Sequence, residues 1–355
     1  MIKLIMAFST IDKSTSFQTQ TLYTGNGSTQ SITGVGFQSD MLWIKCRTAL
    51  EDHCLSDSVR GDSPDTSGYY ELRPNTTSAS DSGSYNTLVS AIGADGFSVG
   101  INDVVNTNTK LYIGWNWLMG TTTGIAGSPS ITPQSYSFNA TAGQSIIKWE
   151  GTGVAATLPH GLGAVPKMIL FKRLDNTAQW VVYHVATGNT QALYLNTNAA
   201  PTVVSGFFND TTPTSSLFSV GTDAAVNANA EDYIAYCWAE IPGYSKFGTY
   251  TGNGNADGTF VYTGFRPQYL LIKQYDTTRD WNLFDNARNT FNVIGEQIEV
   301  NTTSAGDTYD TVDFVSNGFK FRTTSAGKNE ADGTYIYAAF GQPIISNSGV
   351  CANAR

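Results

Sequence analysis

Few residues in this chain are able to do chemistry. Three histidines, His53, His160 and His184, are its whole supply of side chains that titrate near neutrality. His53 lies in "CRTALEDHCLSD" (46–57), between Cys46 and Cys54, which together offer zinc-ligand types. No CxxC spacing supports a zinc site, and a later stretch that aligns with this one carries Gln274, Phe284 and Asp285 instead. The cluster therefore reads as an incidental loop. His160 and His184, 24 residues apart, could make an acid–base or metal pair with a carboxylate. Their aligned counterparts are not histidines, so they read as a turn residue and a strand end. The acids Glu150, Asp175, Asp257, Asp280, Asp285 and Asp313 are scattered, without the motif of a glycosidase pair. "GNGNADG" (252–258) and "NEADG" (329–333) hold oxygen ligands for calcium, but not at EF-hand spacing, and read as ordinary Asn/Asp/Gly turns. GxSxG, P-loop and dinucleotide fingerprints are missing. The sequence thus predicts no catalytic residue, no metal and no cofactor.

The elements that would position any site are strands. Charged residues make up only 14% of the 355 positions, and Thr, Ser, Asn and 35 glycines take their place, which fits short strands joined by tight turns. A net charge of −9 disfavours nucleic acid, and no apolar run approaches the length of a membrane helix. "MIKLIMAFST" is too short for a signal peptide, and Met6 is a second candidate start. Cys46, Cys54, Cys237 and Cys351 are expected as free thiols.

One phrase is written twice. "YTGNG" stands at 23–27 and at 250–254, and "WEGTG" (149–153) replaces it between them. Each copy leads to an apolar run ended by lysine ("MLWIK", "MILFK", "LLIK"), then to "HCLSDSVRG", "WVVYH" or "WNLFDNARN". A turn-plus-strand phrase and a last strand follow, "YIGWNW", "YIAYCW" or "YIYAAF". The order predicts three tandem β-sandwich-like repeats, jelly-roll or lectin-like, of about one hundred residues each. The boundaries read as an N-terminal arm 1–20, repeats at 21–120, 146–245 and 246–345, a linker 121–145, and a tail 346–355. Repeats two and three abut with almost no spare chain, and are expected to pack together more firmly than either packs on repeat one. In the last strands, Ile113, Trp115 and Trp117, with Ile234, Tyr236, Trp238, Ile336, Ala338 and Phe340, form the larger apolar face and are expected to face the sandwich core. Gly25, Gly27, Gly151, Gly153, Gly252 and Gly254 are expected as structural turn residues.

"MAFSTIDKSTSFQ", "LYTGNGSTQSITGVGFQSDMLWIK", "YIAYCWAEIPGYSKFGTYTGNGNADGTFVYTGFRPQYLLIK" and "DFVSNGFKF" carry a resemblance. Over nearly the whole chain the sequence resembles a functionally uncharacterised group of virion proteins from tailed bacteriophages, frequent in marine and cyanobacterial phages. The resemblance implies a non-enzymatic virion structural protein of a tail fibre or baseplate, which presents host-binding surfaces. Head decoration or a fibre-connecting adaptor is the alternative, and a glycan depolymerase a third. The resemblance supplies no catalytic or binding residues; other phage virion proteins are the expected partners, and a host cell-surface glycan a further one.

Two expectations follow for binding. The unit-specific loop "DSVRGDSPDTSGYYELRPNTTSASDSGSY" (57–85) carries Tyr69, Tyr70, Arg73 and Tyr85, which are the candidate binding residues. Deleting 63–82 is expected to spare the fold. The arm is expected to dock on a neighbouring subunit, and a homotrimer is the expected assembly. Trp149, Trp180 and Trp281 are weighed as sugar-stacking residues, but alignment of the last two favours a structural role.

Overall fold

The computed structural model describes residues 9–61, 68–80 and 88–345. The fold is all-β and sandwich-like. Helix among the described residues is confined to Ser14–Ser16, Asp103–Asn106, Ala224–Asn227 and Ala326–Asn329. Three large antiparallel sheets contain one strand order. In the first it runs Gln18–Thr24, Leu111–Trp117, Met41–Cys46, Cys54–Asp57. In the second it runs Gln144–Glu150, Asp232–Ala239, Pro166–Arg173, Val181–His184. In the third it runs Ser245–Thr251, Thr334–Pro343, Phe265–Gln274, Trp281–Asp285. A smaller set of strands covers one face of each, and each combination is called a block below. The covering strands include Gln30–Thr33 with Gly96–Val99, Ala156–Pro159 with Leu217–Val220, and Phe260–Tyr262 with Gly318–Phe321.

The apolar runs ended by lysine are buried along their whole length, because both faces of these strands are covered. One face lines a separate core inside each block. That core holds Tyr112 and Cys46 in the first, Tyr233 and Cys237 in the second, and Tyr335 and Tyr337 in the third. The other face meets the other two blocks in one shared core. Here the expectation for the last strands is corrected. Ile113, Trp115 and Trp117, with their counterparts, line the shared core, and the Tyr112/Tyr233/Tyr335 face lines the sandwiches. The larger residues go where three sheets must fill a wide space, and apolarity alone does not tell one buried face from another. Trp117 touches the rings of Trp238, Tyr269 and Phe340 at centroid distances of 6.4, 5.4 and 6.3 Å, so the first block contacts both others. A buried aromatic covers about 150–250 Å², which at ~25 cal/mol per Å² is about 4–6 kcal/mol per ring.

The doubled phrase has a backbone explanation. Gly27, Gly153 and Gly254 take φ of +68°, +70° and +64°, where a Cβ is strained. A Cβ on Gly25, Gly151 or Gly252 would run into the carbonyl oxygen of Thr107, Ala228 or Glu330, which closes the short helix opposite. The last residue of that helix is a buried asparagine. Asn106, Asn227 and Asn329 accept from the main-chain N–H of Asn26, Thr152 and Asn253, and donate to Gly100, Gly221 and Thr323. The aromatic that opens each phrase stacks on the tyrosine of the last strand, at 5.1, 5.5 and 4.6 Å for Tyr23–Tyr112, Trp149–Tyr233 and Tyr250–Tyr335.

Two segment expectations change. Within 121–145, the strand Ser135–Asn139 pairs with Gln144–Glu150, so this stretch is part of the second sheet as well as a connection. Residues 9–17 of the expected arm pack on their own chain. Ile11 is buried in the shared core, and the Ser14 hydroxyl donates to Gln268 and Gln342 of the third block at 2.9 and 3.0 Å. The tail from 346 onward lies outside the described residues.

Candidate functional site: the block junctions and the loop cleft

The junctions hold most of the buried polar groups with chemical potential. Lys45, Lys172 and Lys273, which end the three apolar runs, are fully buried. Each ammonium donates to one main-chain carbonyl of its own block and one of a neighbour. Lys45 reaches Glu51 and Thr303, Lys172 reaches Ala178 and Thr77, and Lys273 reaches Gln274 and Asn198, at 2.7–3.2 Å. Burial lowers each of these lysines to about 8.

A second set of contacts repeats the pattern. Trp180 Nε1 donates to the Arg73 carbonyl at 3.0 Å, and Trp281 Nε1 donates to Tyr194 at 2.9 Å. His53 holds the corresponding place in the first block. Its Nδ1 accepts from Trp43 Nε1 at 3.0 Å, so the proton sits on Nε2, which donates to the Glu299 carbonyl at 3.3 Å. The first block thus donates to the third, the second to the first, and the third to the second. A third set joins the same three pairs of blocks, with the bond between the second and third running in the opposite sense. Trp115 Nε1 meets Asp285 at 3.1 Å, the Tyr236 hydroxyl meets Asp57 at 2.7 Å, and His184 Nε2 meets the Tyr337 carbonyl at 3.2 Å. Asp57 and Asp285 are each held by a buried arginine three residues on, Arg60 at 2.6 Å and Arg288 at 2.7 Å.

These partners decide what the histidines and cysteines can do. His160 and His184 are lowered to about 4 by burial, and His53 well below its ordinary value, so all three are neutral near pH 7. Cys46, Cys54 and Cys237 are free and buried, and burial pushes Cys237 up to about 12. Cys351 lies outside the described residues. Among the described residues no group of three His, Cys, Asp or Glu side chains could hold a metal ion. Trp149, Trp180 and Trp281 are buried and offer no face for stacking.

The loop of the first block is a bridge to the second. Leu72 lies in the shared core and pairs its main chain with Leu55 at 2.8 Å, and the Thr77 carbonyl takes both Lys172 Nζ and Ala178 N–H. Deleting 63–82 would remove these contacts together with the acceptor of Trp180, so the expectation that the deletion spares the fold is overturned. The candidate binding residues are divided. Tyr69 is half-buried against the first block's core. Arg73 pairs with Asp52 and Glu71 at 3.1 and 2.9 Å. Tyr70 lines a cleft of about 210 Å³ between the first and second blocks, with Arg60, Ser80, Lys148, Asp175 and Asp232. Tyr85 lies outside the described residues, as do 62–67 and 81–87.

The sequence pointed to His53, His184, Trp180, Trp281 and Asp285 one by one, but not to their junction role, and not to Lys45, Lys172, Lys273 or the Asp–Arg pairs. Two signals were present: a lysine at the same place after each apolar run, and Asp-x-x-Arg at Asp57–Arg60 and again at Asp285–Arg288. A charged residue that recurs at the end of a fully apolar strand points to a buried partner. No curated protein matches the chain. A family model does match residues 13–343, and the chain belongs to that family, the domain of unknown function DUF7483.

Proposed function

We propose that the three blocks are three copies of one sandwich unit, closed into a ring within a single chain, and that the chain is a non-enzymatic structural protein of a bacteriophage particle. Its place is a tail fibre or baseplate, where it presents host-binding surfaces. The cyclic set of junction contacts carries the structural-frame part of this reading, and the sequence resemblance to phage virion proteins is what supports the particle part. His53, His184, the buried lysines and the buried Asp–Arg pairs, which another protein would use for catalysis, are engaged here in holding block to block, and His160 is held within the second block by Thr214 and Leu162. Such a frame is stiff, and its loops and outer faces are free to differ. A body with three-fold internal pseudosymmetry also matches a three-chain fibre shaft, since each block can lie over one strand of the shaft.

The test is to raise antibodies against the purified chain and image labelled particles of a phage that encodes it. Label at the tail tip or baseplate, together with binding of the purified chain to host cells, is the expected result. Label confined to the head points to the decoration role, and particles without the protein would overturn the virion reading.

A further inference from the structure

The covering sheets share a backbone frame but present different outer faces. Register fixes the equivalence. Ile32 lies opposite Phe97, Leu158 opposite Phe218 and Val261 opposite Phe319, all pointing inward. Flanking these on the edge strand are Ser31 and Thr33 in the first block, Thr157 and Pro159 in the second, and Phe260 and Tyr262 in the third. On the adjoining strand, Ser98 and Ser219 correspond to Lys320, and Gly100 and Gly221 to Arg322. Ala91 in the first block corresponds to Asp313. On the strand beside the last one in each large sheet, Thr19 and Ser145 correspond to Lys246.

The first block leaves Ser31 and Thr33 in water, and the second covers its edge with the segment before it, where Ser130 and Ile131 bond Thr157 and Pro159 is buried. The third builds aromatic and charged residues on the same positions and leaves the rings in water, with Phe260 45% and Tyr262 52% exposed. Exposed rings that the fold does not need mark a contact surface. Both leave the same side of the strand, roughly 7 Å apart along it. Lys246 Nζ lies 5.3 Å from the Tyr262 centroid. Beside them runs a line of donors and acceptors: Lys320 Nζ 2.9 Å from Asp257, and Arg322 Nε 2.6 Å from Asp313.

We propose that this face binds a carbohydrate chain, with the C–H faces of the sugar rings stacked on Phe260 and Tyr262. Sugar hydroxyls both donate and accept, and here they find Lys320 and Arg322 as donors and Asp257 and Asp313 as acceptors. The mixed charge selects among ligands. The core of a protein interface is depleted of charge, whereas here Lys246 lies over the Tyr262 ring and Lys320 stands opposite Phe260 in the register. A phosphate backbone would meet two carboxylates on a chain of net charge −9. The proposal deepens the reading of a host-binding surface and rests on it for its biological setting, but the binding itself is measured independently.

The experiment uses the full chain and its double variant Phe260→Ser, Tyr262→Thr, which installs the first block's own residues. Maltoheptaose, cellohexaose, chitohexaose and an alginate hexamer are immobilised and binding is read by surface plasmon resonance. The expected result is binding of at least one oligosaccharide, weakened at least tenfold in the variant while the thermal melt and antibody labelling of particles stay as in wild type. Equal binding by wild type and variant, or no binding of any of the four, overturns the proposal. So does sedimentation showing that wild type self-associates and the variant does not, because a second copy would then be the occupant. If wild type binds sugar through this face but is absent from particles, the virion reading fails and the sugar site stands.

Discussion

A buried lysine held only by carbonyl oxygens makes stability depend on pH in an unusual direction. Lys172 is the cleanest case, because its ammonium reaches the carbonyls of Thr77 and Ala178 and no carboxylate among the described residues bonds to it. Burial lowers it from 10.5 to about 8. Between those two values the unfolded chain binds more protons than the folded one, so stability rises as pH rises. The contribution is fully present above 10.5 and is lost as pH falls through 8. Integrated from pH 7 to pH 9, one such lysine adds about 1.4 kcal/mol of stability, and three would add roughly 4 kcal/mol. Lys172→Met removes the titration and leaves two carbonyls unpaired, so its effect at a single pH mixes opposing terms. The difference between wild type and variant across pH isolates the charge. Denaturant unfolding at pH 7, 8 and 9 should show wild type gaining about 1.4 kcal/mol on the variant. A difference that is constant over this range would refute the buried, charged lysine, and with it the account of the junctions.

Three further outcomes follow from the same geometry. Gly254→Val, at φ +64°, should cost more than the ~1 kcal/mol of an ordinary glycine change, and Gly252→Ala should cost a similar amount through collision with the Glu330 carbonyl; paired thermal melts check both. His184, lowered by burial from 6.5 to about 4, supports the fold above 6.5 and loses that support as pH falls toward 4; acid titration of wild type against His184→Asn should differ by about 3 kcal/mol between pH 7 and pH 4. Asp285→Ala strands Arg288 in the interior and should cost about 3–5 kcal/mol, whereas Asp285→Leu with Arg288→Met should recover only part of that loss in chemical denaturation, because Trp115 Nε1 and the main-chain N–H of Ala287 and Arg288 still lose their acceptor.

The all-β class, the buried strands before each lysine and the turn glycines were legible in the sequence, because each follows from local rules. A run such as "MLWIK" can be buried only as a strand covered on both sides, and a Gly-Asn-Gly turn speaks for its own backbone. Which buried face meets which core was not legible. Trp115 and Gly114 both disappear from water, and only the mutual packing of three sheets decides that the tryptophan points to the shared core and the glycine to the sandwich. The loop of the first block was misjudged for a related reason. Serine, glycine and aspartate speak for exposure, but Leu72 and the carbonyls of Arg73 and Thr77 act across a junction that only the fold creates. The rings of Phe260 and Tyr262 were hidden in the opposite sense. In "GTFVYTGF" they read as ordinary strand aromatics, and their exposure shows only when the pleat is fixed by Val261 facing Phe319.

Under the three-copy reading, joining the units in one chain has a physical consequence that a trimer of separate chains lacks. In a homotrimer every face appears three times, so an exposed aromatic pair that recognises one ligand also adds three apolar patches to the surface. One chain can keep Ser31 and Thr33, and Thr157 and Pro159, on two blocks and reserve Phe260 and Tyr262 for the third. The junctions vary in the same way within one geometry. Trp180 and Trp281 become His53, and the Asp–Arg pairs of the first and third blocks give way to His184 in the second. What stays constant at each junction is a hydrogen bond to the neighbouring block at that place; the side chain that makes it changes, and at His184 the bond also reverses its sense, because His184 donates to the third block where Asp57 and Asp285 accept from a neighbour. On this argument, His53→Trp should keep the bond to Glu299 only if the pocket beside Trp43 can widen. A crystal structure of that variant with the indole N–H on the Glu299 carbonyl would confirm the equivalence of the three junctions, and an indole turned away from it would refute that equivalence.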